Sequence, residues 1–175
     1  MTKFSVDQAH SSFGFEVKHM MVSKVKGQFE SYTAEVEAAD LTDLTTASIS
    51  FKFDVASINT RNEDRDNHLR TGDFFEVETY PTMDFVSTSI TKDGDDYKVT
   101  GDLTIKDVTK SVTFDVEFNG KGVNPWGVEV YGFEAEAKIN REDFGLTYNA
   151  VLETGGVLIG KEIKIKIELE LNPAA

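Results

Sequence analysis

GKEIKIKIELEL, residues 160–171, puts Ile163, Ile165, Ile167, Leu169 and Leu171 at alternate positions, with Glu162, Lys164, Lys166, Glu168 and Glu170 between them. A period of two describes a β-strand with one dry and one wet face. The pattern recurs. Phe13, Phe15 and Val17 alternate with Gly14, Glu16 and Lys18, and Ile49, Phe51, Phe53 and Val55 alternate with Ser50, Lys52 and Asp54. Tyr97 to Lys106, Val112 to Phe118 and Tyr131 to Ile139 repeat it. Tyr32, Ala34 and Val36 do so too, but Phe29 is out of phase with them, which predicts a bulge at Glu30 or Ser31. Asp93-Gly94-Asp95 marks a hairpin turn. Asn119 to Gly127, with its glycines, Pro125 and Trp126, reads as a long loop, and Gly145 to Gly160 reads as irregular.

The period breaks once, over Asn62 to Arg70, which is charged and lacks β-branched residues. Thr60 is placed to cap a short helix there, with Glu63 completing a capping box and Gly72 just past the end. About eight strands with one inserted helix, in one domain spanning 1–175, give an all-β antiparallel architecture. Such a sheet removes its free edges by closing into a barrel. At this strand number the interior is either filled by side chains or holds one small ligand.

Composition bounds the function. The chain has 13 Phe, one Trp and no Cys, so thiolate metal sites, disulfides and thiol nucleophiles are excluded. A net charge of −13 disfavours nucleic acid and anionic surfaces on average. No segment approaches the roughly 18 apolar residues of a spanning helix, so no stable membrane insertion is expected. The N-terminal Met-Thr-Lys-Phe-Ser-Val-Asp has no apolar run. The expectation is a cytoplasmic protein, or a periplasmic one if the chain is a trimmed mature form.

Four segments occur in order: DQAHSSFGFEVKHMMVSKVKGQFE, SINTRNEDRDNHLRTGDFFEVETYPTMDF, KVTGDLTIKDVTKSVTF and INREDFGLTYN. Together they resemble the YceI-like family of lipocalin-like polyisoprenoid-binding proteins. Asp107 stands where that family usually has Gly, and Ser111 where it often has Pro; both are expected in a loop. The resemblance implies an extended lipocalin-like β-barrel with an apolar tunnel. It also implies a non-enzymatic protein without a cofactor, whose ligand is an isoprenoid or similar amphiphile such as a polyprenyl phosphate or prenylated quinone. Transport, storage or sequestration would follow.

Candidate tunnel-wall residues are Phe13, Phe15, Val17, Phe51, Phe53, Phe85, Leu103, Phe114 and Phe133. A phosphate head would want cations. Lys18, His19, Lys24, Lys26 and Arg61 are available, and His19, Arg65, His68 and Arg70 are the leading headgroup candidates. The net charge favours a neutral head, such as a quinone or amide, unless these cations cluster at a barrel mouth. The competing readings are a stress-related interaction or scaffold module with a solid core, and an enzyme acting on isoprenoid or small organic substrates through His10 or His68. A zinc site built on His10, His68 and Asp64 is a minor alternative, set against a structural role in which Arg65 and Asp66 form a buried salt bridge. No Gly-x-Ser-x-Gly elbow or phosphate loop is present, Gly155-Gly156 lacking the Lys-Ser/Thr that such a loop needs. Oligomeric state is open; a symmetric head-to-head homodimer would cover a barrel mouth.

Overall fold

The computed structural model describes residues 1–149 and 158–174. Among these residues eleven strands form one antiparallel sheet: β1 (Thr2–Val6), β2 (Ser12–His19), β3 (Ser23–Phe29), β4 (Tyr32–Ala38), β5 (Ser48–Asp54), β6 (Ile58–Asn59), β7 (Thr82–Asp93), β8 (Asp96–Ile105), β9 (Val108–Val123), β10 (Glu129–Asn140) and β11 (Ile159–Pro173). Several are pieces of longer bent strands. β1 pairs with β4 and β2 with β3, so β1–β2 and β3–β4 form one long kinked hairpin. β5 pairs with β4 and β6 with β3, continuing the same logic. The result is an eight-stranded barrel in sequential order, closed where β11 meets β2 along Ile159–Glu168 and β1 along Leu171–Pro173.

The kinks have identifiable causes. At the expected bulge, the β3–β4 break falls on Glu30 and Ser31, whose N–H groups both donate to Ser57 Oγ, at 3.1 and 3.0 Å. At the β1–β2 break, Asp7 caps a single turn (Gln8–His10) by accepting from Ala9 N–H. The turn holds His10 Nδ1 2.9 Å from Asp7 Oδ2 and 3.5 Å from Glu170 Oε2 on β11. Gly94, with φ of +62°, makes the tight β7–β8 turn that the sequence announces.

Three expectations need correction. Asn119 to Val123 is strand, not loop: β9 runs on to Val123, and Gly120, at φ of +132°, sits where the β9–β10 register shifts. The extra residue is absorbed as a bulge, so the loop shrinks to residues 124–128. Ser111 is likewise within β9, paired with Asp102, leaving Lys106-Asp107 as a two-residue turn. Helix α1 (Glu63–Leu69) is capped by Asn62, whose side chain accepts from Arg65 N–H, rather than by Thr60. The Thr60 hydroxyl is engaged elsewhere, donating to Asp66 and accepting from Arg65 Nε. Of the segment read as irregular, residues 150–157 lie outside the described residues.

Above Asp54 the β5–β7 ladder stops, and α1 with the turns that follow it occupies the opening between β6 and β7. This end also carries the β2–β3 turn and the turn at Arg141–Phe144. The opposite end is closed by the β4–β5 connection, where buried Leu41 and Leu44 turn inward and Tyr97 Oη donates to Thr42 O at 3.1 Å.

The cluster at the β1–β2 break makes a pH prediction. Hydrogen bonding to Asp7, then the charges of Asp7 and Glu170, raise the His10 pKa above its usual value near 6.5; the His10 contact lowers that of Asp7. The His10 contribution to stability is therefore complete below about pH 6.5 and lost as pH rises through the raised value. The Asp7 contribution is present above about pH 4 and lost as pH falls through its lowered value. A histidine NMR titration should show His10 titrating above an unperturbed imidazole, and Asp7→Asn should bring it back down.

Candidate ligand cavity

The barrel encloses a cavity of about 450 Å³ that follows its axis. Inward residues of β11, Ile163, Ile165, Ile167, Leu169 and Leu171, form one wall. Most of them are only half-buried although they face the interior, because their inner surfaces meet space rather than other side chains. The nine expected wall residues all line this cavity: Phe13, Phe15 and Val17 on β2, Phe51 and Phe53 on β5, Phe85 on β7, Leu103 on β8, Phe114 on β9 and Phe133 on β10.

The rings are kept off the axis in two ways. Many pack against one another along the wall, as in Phe13 with Phe51 (centroids 5.0 Å apart) and Phe85 with Phe114 (5.2 Å). Such tilted and edge-on contacts stabilise rings without requiring them to meet in the centre. Glycines on adjacent strands provide the other. A Cβ on Gly27 would come within 2.6 Å of the Phe15 ring, and one on Gly101 within 2.5 Å of the Phe85 ring. Each phenyl ring therefore lies over a neighbouring strand's bare backbone.

The two ends differ. Val36, Leu44, Val116 and Leu171 line the blind end. The α1 end is basic: Lys18, His19, Arg65, His68 and Arg141 line the cavity, and among the described residues no Asp or Glu does. In a chain with 31 acidic and 18 Lys and Arg residues, this is a marked local inversion of charge.

The cations at this end are held by the fold. Arg65 donates through Nε to Thr60 Oγ1 (2.7 Å) and through Nη2 to Thr60 O (2.6 Å). Thr60 donates its N–H (2.9 Å) and its hydroxyl to Asp66 Oδ1. The expected direct Arg65–Asp66 ion pair is thus replaced by a shared partner. A threonine hydroxyl donates once and still accepts, so one buried Thr60 satisfies both ions. His68 Nε2 lies 2.8 Å from Asp73 Oδ2, and its ring meets Phe74 and Tyr148 edge-on. His10 and His68 contact different carboxylates, Asp7 and Glu170 in one case and Asp73 in the other, so the structure does not assemble them into one site.

Arg141 falls within the INREDFGLTYN segment but is not among the expected headgroup residues. It sits in a turn (Arg141–Phe144), is 3% exposed, and donates to the carbonyls of Gly160 (2.8 Å), Leu146 and Ile159 (3.5 Å). Its contacts are carbonyl dipoles rather than a carboxylate, and burial lowers its pKa from the ordinary value. Arg70, by contrast, is placed outside the cavity. Its guanidinium is used on Ala56 O (3.0 Å), Ile58 O (3.3 Å) and Asn67 Oδ1 (2.9 Å), bracing α1. Lys24 likewise lies off the lining, 3.6 Å from Glu16.

A closed antiparallel barrel around a blind apolar cavity defines a lipocalin-like architecture. The chain belongs to the YceI-like domain family, whose sequence model matches residues 4–171. It is 46% identical to UPF0312 protein SAS2572 of Staphylococcus aureus (strain MSSA476) over 173 residues, 98% of each chain. The crystal structure of the Campylobacter jejuni YCEI protein is similar over 100% of both chains, with 34% identity and a TM-score of 0.78. Burkholderia cenocepacia BcnA matches 95% of this chain and 99% of its own, with 28% identity and a TM-score of 0.81. A polyisoprenoid binding domain from Saccharophagus degradans, implicated in plant cell wall breakdown, shares the fold with a TM-score of 0.71 over 99% of this chain and 100% of its own, at 15% identity.

Gly101→Ala tests the glycine seats. The added methyl would meet Phe85 Cζ and the Val86 carbonyl, both at 2.5 Å. Overpacking of this kind costs about 1–3 kcal/mol, which urea denaturation should register. An unchanged midpoint would show that the ring is free to yield.

Proposed function

We propose that the chain binds a long-chain isoprenoid or related amphiphile, tail inward, and holds it for transport, storage or sequestration without covalent chemistry. The observation that carries this reading is the polarity of the cavity: a blind apolar end, and a mouth whose charged lining residues, among those described, are all basic. A volume of about 450 Å³ lies within the usual range for small-molecule sites. Ten or so methylenes buried there would contribute roughly 8 kcal/mol at about 0.8 kcal/mol each, the scale of micromolar binding before association costs are charged.

The mouth supports an acceptor-rich head, such as a phosphate or the carbonyls of a quinone. Arg65 uses only Nε and Nη2 on Thr60, so its Nη1 donors have no protein partner among the described residues. Lys18 and His19 have no ion-pair partner there either. The family membership and the polyisoprenoid-binding neighbour of the same fold lend the reading further support. A solid-cored scaffold is less well supported, since such a module has no use for an unfilled axis.

Ala135 points into the cavity from the middle of β10, between Val116 and Ile167. Ala135→Trp should fill the lumen, leave the melting temperature near that of the wild type, and reduce uptake of a prenylated quinone by delipidated protein at least tenfold. Undiminished uptake by a folded variant would place the ligand elsewhere, and no uptake by the delipidated wild type would remove the reading.

A further inference from the structure

The β2–β3 turn stands at the cavity mouth and contradicts ordinary turn chemistry. Its apex is Met20-Met21-Val22, exposed by 42, 65 and 85%. Met20 and Met21 have φ of +53° and +64°. Left-handed backbone at successive turn positions favours Asn and Gly, since a side chain there crowds its own backbone. Nothing packed in the barrel explains two methionines at such positions. Strain retained at an exposed apolar apex is a mark of function rather than of folding.

The surroundings indicate a partner. From Val17 to Phe29 there is no carboxylate, while Lys18, Lys24 and Lys26 flank the apex. Lys24 lies 3.6 Å from Glu16, which leaves Lys18 and Lys26 unpaired among the described residues. The apex is also continuous with the cavity: Lys18 and His19 line it, and Met20 N–H donates to the carbonyl of Leu158, another lining residue, at 2.8 Å.

We propose that Met20-Met21-Val22 is a membrane-docking apex, which dips into a bilayer containing anionic phospholipid and sets the cavity mouth against the lipid surface. Unbranched methionines and a valine suit the acyl boundary, and flanking lysines suit phosphate heads. The net charge of −13 does not prevent this. At physiological ionic strength charges are screened beyond about 8 Å, so a bilayer at the apex senses mainly the local lysines. The proposal goes beyond the cavity reading and can fail independently of it.

The chain has no cysteine, so a single Val22→Cys can carry an environment-sensitive dye without background. With vesicles of phosphatidylglycerol and phosphatidylcholine its emission should shift to the blue. The same dye on Trp126→Cys, 84% exposed at the opposite end of the barrel, should stay aqueous. The combined variant Met20→Asn, Met21→Gly, Val22→Ser places residues suited to left-handed backbone at positions 20 and 21. It should fold normally and take up a prenylated quinone from detergent micelles as the wild type does, yet partition to vesicles at least tenfold less. Lys26→Gln should weaken binding only to the anionic vesicles. Equal vesicle binding by the combined variant, or none by the wild type, would overturn the proposal. So would a tip dye that shifts only on self-association in sedimentation, which would make the apex a protein contact.

Discussion

Closing eight antiparallel strands commits every second residue of each strand to a shared interior, and the volume enclosed is then fixed by strand number and tilt rather than by the side chains. Whether that volume is filled is a separate matter, decided here by where the aromatic rings lie. Phe15 and Phe85 rest over Gly27 and Gly101, and Phe13, Phe51 and Phe53 pack against one another along the wall. β11 contributes isoleucines and leucines that reach the lumen without crossing it. A void along the axis forfeits dispersion contacts that a packed core would have. Its persistence in a chain with 13 phenylalanines is the reason for assigning it to a ligand.

Polarity along the axis follows from the same closure. One end is sealed by Leu41 and Leu44, and the other is interrupted by α1, which takes the place of ladder between β6 and β7. That interruption exposes backbone groups and admits charged side chains. Thr60 is central to holding it: its hydroxyl and backbone tie Arg65 and Asp66 together, 3 and 7% exposure for Thr60 and Asp66 showing how little water reaches the joint. A buried carboxylate needs such partners. The cavity therefore has a built polarity, with basic side chains at the α1 side and apolar residues at the far end.

Much of the barrel was legible because period-two alternation survives in nearly every strand, and β11 carries it almost without fault. The wall residues were readable for the same reason, since parity alone assigns the inward face. What escaped depended on distant partners. Thr60 followed by Glu63 satisfies the local rule for a capping box, and only the folded chain reveals that Arg65 and Asp66 together engage the threonine hydroxyl. The glycines at positions 120 and 122 look like loop and are strand, because a bulge at Gly120 accommodates them. Arg141 lies beside Glu142 and Asp143, a context that reads as solvated turn, whereas three carbonyls draw it inside. Arg70 shares the charged helix block with Arg65 yet faces the outside.

The central claim is that a ligand, not the phenylalanines, occupies the axis in the working protein. A crystal structure of the protein loaded with a prenylated quinone addresses it most directly. The account predicts continuous elongated density running from beside Leu44 to a head near Lys18, Arg65 and His68, with the rings of Phe15 and Phe85 still seated over their glycines. A barrel whose rings have swung inward to close the lumen, with the quinone absent or bound on the surface, would contradict it.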